Sequence, residues 1–285
     1  MRENTKAVHG GRHDLRELGV HAPPLDRSTT YPMPTLEEGR DSLAAFANGE
    51  PSAANPVYAR LFNQTTNRWE QAISSLEGAE AGIAFSCGMA AITSVLVATG
   101  AVGGHVVAVR PLYGGTDHLL ASGLLPIEVT WATQDTVASA VRADTNLVMV
   151  ETPANPTLTL VDIEAVVAGA GHVPVMVDNT FATPILQQPL SHGASYVVHS
   201  ATKYLGGHSD VLAGIVCTSE ARAKTVRQVR ILTGGVLDPQ AAWLLHRSVP
   251  TLPMRVDAAQ SGAAKVVAFL LDHPFVENVR WPGLA

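Results

Sequence analysis

Residues 197–210 read VVHSATKYLGGHSD, an apolar run followed at once by hydroxyls, glycines, histidines and one lysine, Lys203. A second apolar run, PVMVDNT at residues 174–180, ends in the same manner with Asp178. Parallel strands deliver the residues at their carboxyl ends to one edge of a sheet, where ligands bind. The two runs therefore predict a parallel sheet that brings a lysine and a carboxylate to one site.

The rest of the chain supports an α/β sheet. Apolar runs of strand length, bounded by turn residues, lie at 83–85, 106–109, 127–131, 147–150, 175–177, 196–198 and 214–217. Stretches long enough for crossover helices separate several of them, as at 134–143 and 163–170. A helical spacing of apolar residues begins near Asn67 and ends at Gly78, and residues 90–98 have the composition of a buried helix. This alternation predicts a mostly parallel sheet with helices on both faces.

Composition excludes several classes of protein. With 285 residues, 46% hydrophobic and 15% charged, the chain is globular rather than disordered. A net charge of −6, from 19 basic and 25 acidic residues, gives no electrostatic basis for binding nucleic acid or an anionic membrane. Two cysteines outside any C-x-x-C pair do not form a disulfide framework or a cysteine-built metal site.

Two segments bear on the location of the protein. The first six residues, MRENTK, are polar and lack the apolar core of a signal peptide, which predicts a cytoplasmic protein. Residues 81–109 contain no Lys, Arg, Asp or Glu, but their glycines and one histidine favour strand, turn, buried helix, turn and strand over a membrane span.

The residues at the predicted site match the needs of pyridoxal phosphate (PLP). This cofactor needs an amine to hold its aldehyde, an acid to protonate its ring nitrogen, and donors for its phosphate. Lys203, Asp178, and the pair Ser200 and Thr202 would supply these groups in turn. Alone, Lys203 would be a surface residue at a strand end, and its neighbours favour the cofactor instead.

Other segments add candidate groups, and each also has a structural interpretation. Ser86-Cys87-Gly88-Met89 precedes a helix and suits an anion, or is simply a tight turn. Tyr113, beside two glycines, would lie flat on a planar ring or pack on the sheet, and Asn155 follows a strand in an Asn-Pro turn. Tyr58 and Arg60 offer a phenol and a guanidinium suited to phosphate, or a surface ion pair.

Three other site types are disfavoured. His199, His208 and Asp210 match no common metal-ligand spacing. The segment before Lys203 lacks the G-x-x-x-x-G-K frame of a P-loop, and the chain contains no G-x-S-x-G hydrolase elbow.

Together these motifs resemble the cystathionine γ-synthase-like family of PLP enzymes, which have the aspartate aminotransferase-type fold. The similarity runs from about Tyr58 to Leu284. The segments that carry it are LEG at 76–78, CGMAA at 87–91, YGGT at 113–116, ETPANP at 151–156, DNTFATP at 178–184 and HSATKY at 199–204.

The resemblance implies a role for each candidate. Lys203 would form the Schiff base and then shuttle protons, and Asp178 would pair with the pyridine nitrogen. Tyr113 would stack on the ring as a general acid or base, and Asn155 would contact the ring hydroxyl. The remaining contacts, all to the phosphate, would come from Gly88, Met89, Ser200 and Thr202, with Tyr58 and Arg60 reaching the phosphate of a neighbouring subunit. The active site would then require a homodimer or homotetramer.

The sequence departs from the family pattern in four places. Gln64 stands where a proline usually follows the asparagine, Cys87 replaces a serine, and Gly115 stands where many methionine γ-lyases carry a cysteine. The family also continues for about a hundred residues beyond Ala285. We therefore expect an extended N-terminal arm at 1–55, a PLP-binding α/β domain at 56–250, and at 251–285 the start of a truncated C-terminal domain.

The expected reaction is PLP-dependent γ-elimination on a sulfur amino acid, of the methionine γ-lyase or cystathionine γ-lyase type. A γ-replacement synthase acting on an activated homoserine is the alternative within the same chemistry. A PLP-binding fragment without turnover is the alternative outside it.

Overall fold

The computed structural model describes residues 2–284 of the chain. Its centre is a seven-stranded sheet in the order β1-β7-β6-β5-β4-β2-β3. The strands are β1 Ala81–Phe85, β2 His105–Val109, β3 Glu128–Ala132, β4 Thr145–Glu151, β5 Val175–Asp178, β6 Tyr196–Ser200 and β7 Gly214–Thr218. Strand β7 is antiparallel to β1 and β6, and the other four pairs are parallel. The predicted mostly parallel α/β sheet is confirmed.

Helices cover both faces of this sheet. They are α1 Glu3–His9, α2 Leu36–Ala47, α3 Gln64–Glu77, α4 Gly88–Ala98, α5 Gly114–Ala121, α6 Val137–Ala140, α7 Ile163–Ala170, α8 Thr183–Leu186, α9 Glu220–Thr233, α10 Pro239–Ser248 and α11 Leu252–Leu271. Helices α4, α5 and α9 pack on one face, which we call the α4 face. Helices α3 and α10, with α6 and α7 further along, pack on the opposite face.

Helix α3 shows how the sequence sets an element's limits. The Asn63 side chain accepts a hydrogen bond from the Thr66 amide at 3.1 Å and caps the helix. The helix therefore begins at Gln64, three residues before the predicted start at Asn67. Gly78 ends the helix in the left-handed region at φ 71°, as predicted. Trp69 and Leu76 are fully buried against the sheet.

The first 55 residues are less extended than predicted, because they include α1 and α2. Helix α1 packs against α3 and α11 and buries only Ala7. The segment between the two helices is tied down where Trp243 donates a hydrogen bond from Nε1 to the carbonyl of Pro23 at 2.9 Å. Such short helices are stabilised mainly by tertiary contact rather than by an apolar repeat of their own. The domain boundaries at 55/56 and 250/251 stay predictions.

The crossover segments differ in length from their predictions. Residues 134–143 form a single 3₁₀ turn at Gln134–Thr136 and the four-residue helix α6, whereas α7 has the predicted bounds. The segment at 81–109 without charged residues is β1, α4 and β2, as predicted. Within residues 2–284, no helix combines the length and the apolar character that a membrane crossing requires.

Candidate active site

The carboxyl ends of three neighbouring parallel strands present polar side chains on the α4 face. Glu151 at the end of β4 is directly paired in register with Asp178 at the end of β5. Two residues earlier on the same strands, Met149 and Met176 lie in the core under α4. Because side chains alternate along a strand, Glu151 and Asp178 project to this face as well. Ser200 at the end of β6 has the same orientation, so the predicted convergence of strand ends is present.

The start of α4 lies directly against the end of β6. A Cβ added to Gly88 would stand 2.8 Å from Cβ of Ser200, a distance that real side chains do not tolerate. Cys87 caps the helix, its Sγ accepting from the Ala90 amide at 3.4 Å. Amides at the start of a helix that are not used by the helix itself favour an anion. Gly88 and Ser200 therefore frame a narrow cradle beside free backbone N–H groups.

Thr202 lies in the turn that follows β6. Its Oγ1 accepts from the Ala213 amide at 3.2 Å, so the hydroxyl is fixed beside the start of β7. A Cβ on the next residue, Gly214, would be 2.2 Å from the carbonyl oxygen of Cys87. The turn carrying Thr202 and the start of α4 are thus adjacent, as the predicted phosphate contacts require.

Thr180 links two of the candidate residues and was not singled out from the sequence. Its amide donates to Oδ1 of Asp178 at 3.0 Å, and its Oγ1 accepts from the amide of Ser200 at 2.8 Å. The Asp-Asn-Thr order is a signal, since an aspartate often accepts from the amide two residues on. The second bond joins residues 20 apart in sequence and has no local signal.

Glu151 connects the strand ends to two further candidates. Its Oε1 accepts from the Asn155 amide at 2.9 Å, and its Oε2 accepts from the Tyr113 amide. Burial, together with the negative charge of Asp178, raises the pKa of Glu151 to about 7. Burial also raises the pKa of Asp178, although Thr180 and the nearby His199 lower it in part. Among residues 2–284, neither carboxylate has an ion-pair partner.

The ring of Tyr113 is 45% exposed and lies over Gly115. A Cβ at Gly115 would be 2.6 Å from Cε1 of Tyr113. Glycine at this position therefore lets the aromatic ring settle beside the strand ends with one side open. The side chain of Asn155 is also exposed.

Lys203 lies three residues beyond Ser200, with an exposed side chain on a fixed backbone. Its amide donates to the Ser200 carbonyl at 3.2 Å, and its own carbonyl accepts from the Gly207 amide at 2.7 Å. Arg255 holds the same loop from outside, donating from Nη1 to the Tyr204 carbonyl at 2.6 Å. The lysine amine is therefore free to react while its backbone is held in place.

Tyr58 and Arg60 occupy a different part of the structure. Arg60 donates from Nη1 to the carbonyl of Ile231 at 2.5 Å, and its guanidinium lies 5.5 Å from the ring centroid of Tyr58. Within residues 2–284, neither side chain hydrogen-bonds to the strand-end residues. The other eight predicted residues lie at or just after the ends of β2, β4, β5 and β6 or at the start of α4, whereas these two have their contacts elsewhere. The contacts of all ten with a cofactor stay predictions.

Two other residues at or next to strand ends have partners of their own. Arg110 forms a bidentate ion pair with Asp117 at 2.7 and 3.1 Å and stacks on Trp131. His199 points to the opposite face of the sheet, where its Nε2 meets the buried carboxylate of Glu77 at 2.5 Å. Neither of these residues belongs to the strand-end site.

The residues at this site fit PLP by their donor set. Lys203 supplies an accessible primary amine, and the Gly88 cradle supplies backbone donors for a phosphate. The carboxylate of Asp178, whose pKa is raised by burial, favours a cationic partner such as a protonated pyridine ring. Tyr113 adds an exposed aromatic face for stacking.

Comparisons with known proteins agree with this fit. The family model described as Cys/Met metabolism PLP-dependent enzyme matches residues 4–285. The L-methionine gamma-lyase of Streptomyces avermitilis is 53% identical over 283 residues, covering 99% of this chain and 68% of the relative. That of Brevibacterium aurantiacum is 51% identical over 287 residues, covering 100% and 71%.

A solved structure shares the fold as well. The crystal structure of cystathionine gamma-lyase from Lactobacillus plantarum, complexed with L-serine, superposes with a TM-score of 0.90 at 32% identity. The match covers 100% of this chain and 72% of that one. These similarities, together with the residues at the strand-end site, show that the chain belongs to the Cys/Met metabolism family of PLP-dependent enzymes.

Proposed function

We propose that the protein catalyses PLP-dependent γ-elimination on a sulfur amino acid, of the methionine γ-lyase or cystathionine γ-lyase type. The proposal depends mainly on the position of Lys203. Its side chain is exposed in a turn held by backbone hydrogen bonds, directly after the strand that neighbours the Asp178 strand. The relatives named above, all lyases, favour elimination over the synthase alternative.

The proposed roles follow from the contacts of each residue. When bound, PLP supplies an electron sink for negative charge developed at Cα and Cβ of an amino acid. Asp178 is proposed to hold the proton on the ring nitrogen, and Lys203 to move protons between neighbouring carbons. Tyr113 is proposed to lie on the ring face and donate or accept a proton, with Asn155 at the ring hydroxyl. The sulfur substituent on Cγ of the substrate would leave as a thiolate.

We also infer that the complete site is shared between subunits. Gly88, Met89, Ser200 and Thr202 are proposed to hold the phosphate within one chain. Arg60 lies apart from them and is exposed, so the proposal places its guanidinium on the phosphate of a neighbouring copy, at least in a homodimer. Tyr58 would accompany it.

Product analysis tests the reaction. The protein loaded with PLP is incubated with methionine or with cystathionine, and 2-oxobutanoate, ammonia and thiol are measured. Formation of all three supports the lyase. Cystathionine or homocysteine made from an acylated homoserine would instead support the synthase, and bound PLP without any turnover would support a binding fragment.

Substitution of the lysine tests the site. We expect Lys203→Ala to remove the visible absorbance of bound PLP and to lower activity by about 10³-fold or more. Lys265→Ala, which removes an exposed lysine on α11, is the matched control and should behave as wild type. Wild-type absorbance in Lys203→Ala would overturn the assignment.

A further inference from the structure

One buried carboxylate touches two loops that belong to different parts of the sequence. Glu151 accepts from the amide of Asn155, four residues away, and from the amide of Tyr113, which is 38 residues away. The first loop follows β4 and the second follows β2, two strands that are neighbours in the sheet. The two oxygens of one carboxylate therefore set how far apart the loops stand.

These two loops carry groups that the proposed function assigns to different parts of the cofactor ring. Tyr113 is assigned to the ring face, and Asn155 to the ring hydroxyl. Both side chains are exposed, and within residues 2–284 neither makes a side-chain hydrogen bond. The backbone of each loop is held by a charge-assisted hydrogen bond to Glu151, a type about twice as strong as a neutral one. Movement of Glu151 would change both positions together.

A carboxylate at position 151 lowers the stability of the fold, so a purely structural role would not favour it. It is 5% exposed and directly opposite Asp178, so a negative charge is buried beside another negative charge. Arg110, which follows β2 at this edge, is already paired with Asp117. A neutral glutamine of the same shape would avoid this repulsion. The cost indicates that both acceptor oxygens are needed.

We propose that Glu151 is a positioning residue that fixes the spacing between Tyr113 and Asn155 across the cofactor cleft. This inference rests on the proposed PLP function. It adds a residue that contacts neither substrate nor cofactor and acts through the two backbone amides that it holds.

Glu151→Gln is the main test, because its amide group keeps the shape but turns an N–H toward one of the two amide donors. We expect the dissociation constant for PLP to rise about 10-fold, the equivalent of about one hydrogen bond. We also expect the visible circular dichroism per bound PLP to fall, since the ring is held less firmly. The melting temperature of the cofactor-free protein at pH 8 should stay within about 4 °C of wild type or rise, because the repulsion is relieved.

Two further variants complete the design. Glu151→Asp keeps the charge but is one methylene shorter, so it cannot reach both amides and should also weaken PLP binding. Glu17→Gln removes an exposed glutamate far from the strand ends and should match wild type in every measurement.

Two results would overturn the inference. One is wild-type PLP affinity and dichroism in both Glu151 variants. The other is a fall in affinity matched by an equal fall in cofactor-free stability, which would make Glu151 merely structural. Failure of the proposed function itself looks different, because the wild-type chain and Glu17→Gln would then show no PLP-dependent visible band.

Discussion

Replacement of Gly88 by alanine is the sharpest structural test of the phosphate cradle. The new Cβ would stand 2.8 Å from Cβ, 3.1 Å from Cα and 3.2 Å from Oγ of Ser200. Gly88 does not have a positive φ, so alanine meets no backbone strain there. The three closest contacts of the new side chain are therefore all with Ser200.

The size of the effect follows from these distances. Carbon atoms in ordinary contact stand about 3.5–4.0 Å apart, so the start of α4 and the end of β6 must separate by roughly 1 Å. Overpacking of this kind costs about 1–3 kcal/mol of stability. A misplacement of about 1 Å in a binding site can cost about 100-fold. We expect the dissociation constant for PLP to rise about 10- to 100-fold.

The assay is a titration of cofactor-free protein with PLP, followed by visible absorbance, alongside thermal unfolding. Gly262→Ala is the matched control, since that glycine lies in α11 with nothing within 4 Å of its added Cβ. It should leave PLP affinity unchanged and add about 0.5–1 kcal/mol of stability. If Gly88→Ala binds PLP as tightly as wild type does, the cradle is not the phosphate site.

Three further predictions concern residues around the site. The pKa of Glu151 is raised from 4.5 to about 7 in the folded cofactor-free protein. As the pH rises, the unfolded chain therefore loses the Glu151 proton at a lower pH than the folded chain does. The free energy of unfolding should then fall by up to about 3 kcal/mol as the pH rises from 4.5 to 7. Urea unfolding at pH 5 and pH 8 should show a smaller pH dependence of this free energy in Glu151→Gln than in wild type. His199→Asn should leave the buried carboxylate of Glu77 poorly paired and lower the free energy of unfolding by about 3 kcal/mol in urea; a loss below about 1 kcal/mol would contradict this. Arg255→Ala should speed amide hydrogen exchange around Tyr204, with unchanged exchange in the strands, because its guanidinium holds that carbonyl.

The seven strands and the mostly parallel character of their sheet could be predicted because the signals for them are local in the sequence. Each strand is a short apolar run between turn residues, and each carboxyl-end residue follows directly from the run before it. Asp178 and Ser200 were placed at one edge by this rule alone. Helix α1 could not be predicted because it depends on contacts with α3 and α11. Helix α2 does have a local signal, since its cap Thr35 accepts from the amide of Glu38 three residues on.

The contacts between site residues could not be predicted in the same way. Glu77 and His199 are 122 residues apart in sequence, and Tyr113 and Glu151 are 38 apart. The sequence around each residue of these pairs does not indicate which distant residue it contacts. The position of Arg60 was a different case, because its proposed role concerns a neighbouring copy and a single chain does not contain that contact.

The two faces of the sheet differ in how their carboxylates are paired. On the α4 face, burial raises the pKa of Asp178 and Glu151, and among residues 2–284 neither carboxylate forms an ion pair, which costs stability. On the opposite face, Glu77 accepts from both His199 and Asn179, so the residues next to Ser200 and Asp178 are held from behind by a paired network. The hydrogen bonds of Glu77 therefore hold, from the opposite face, the same two strand ends that carry the proposed cofactor site.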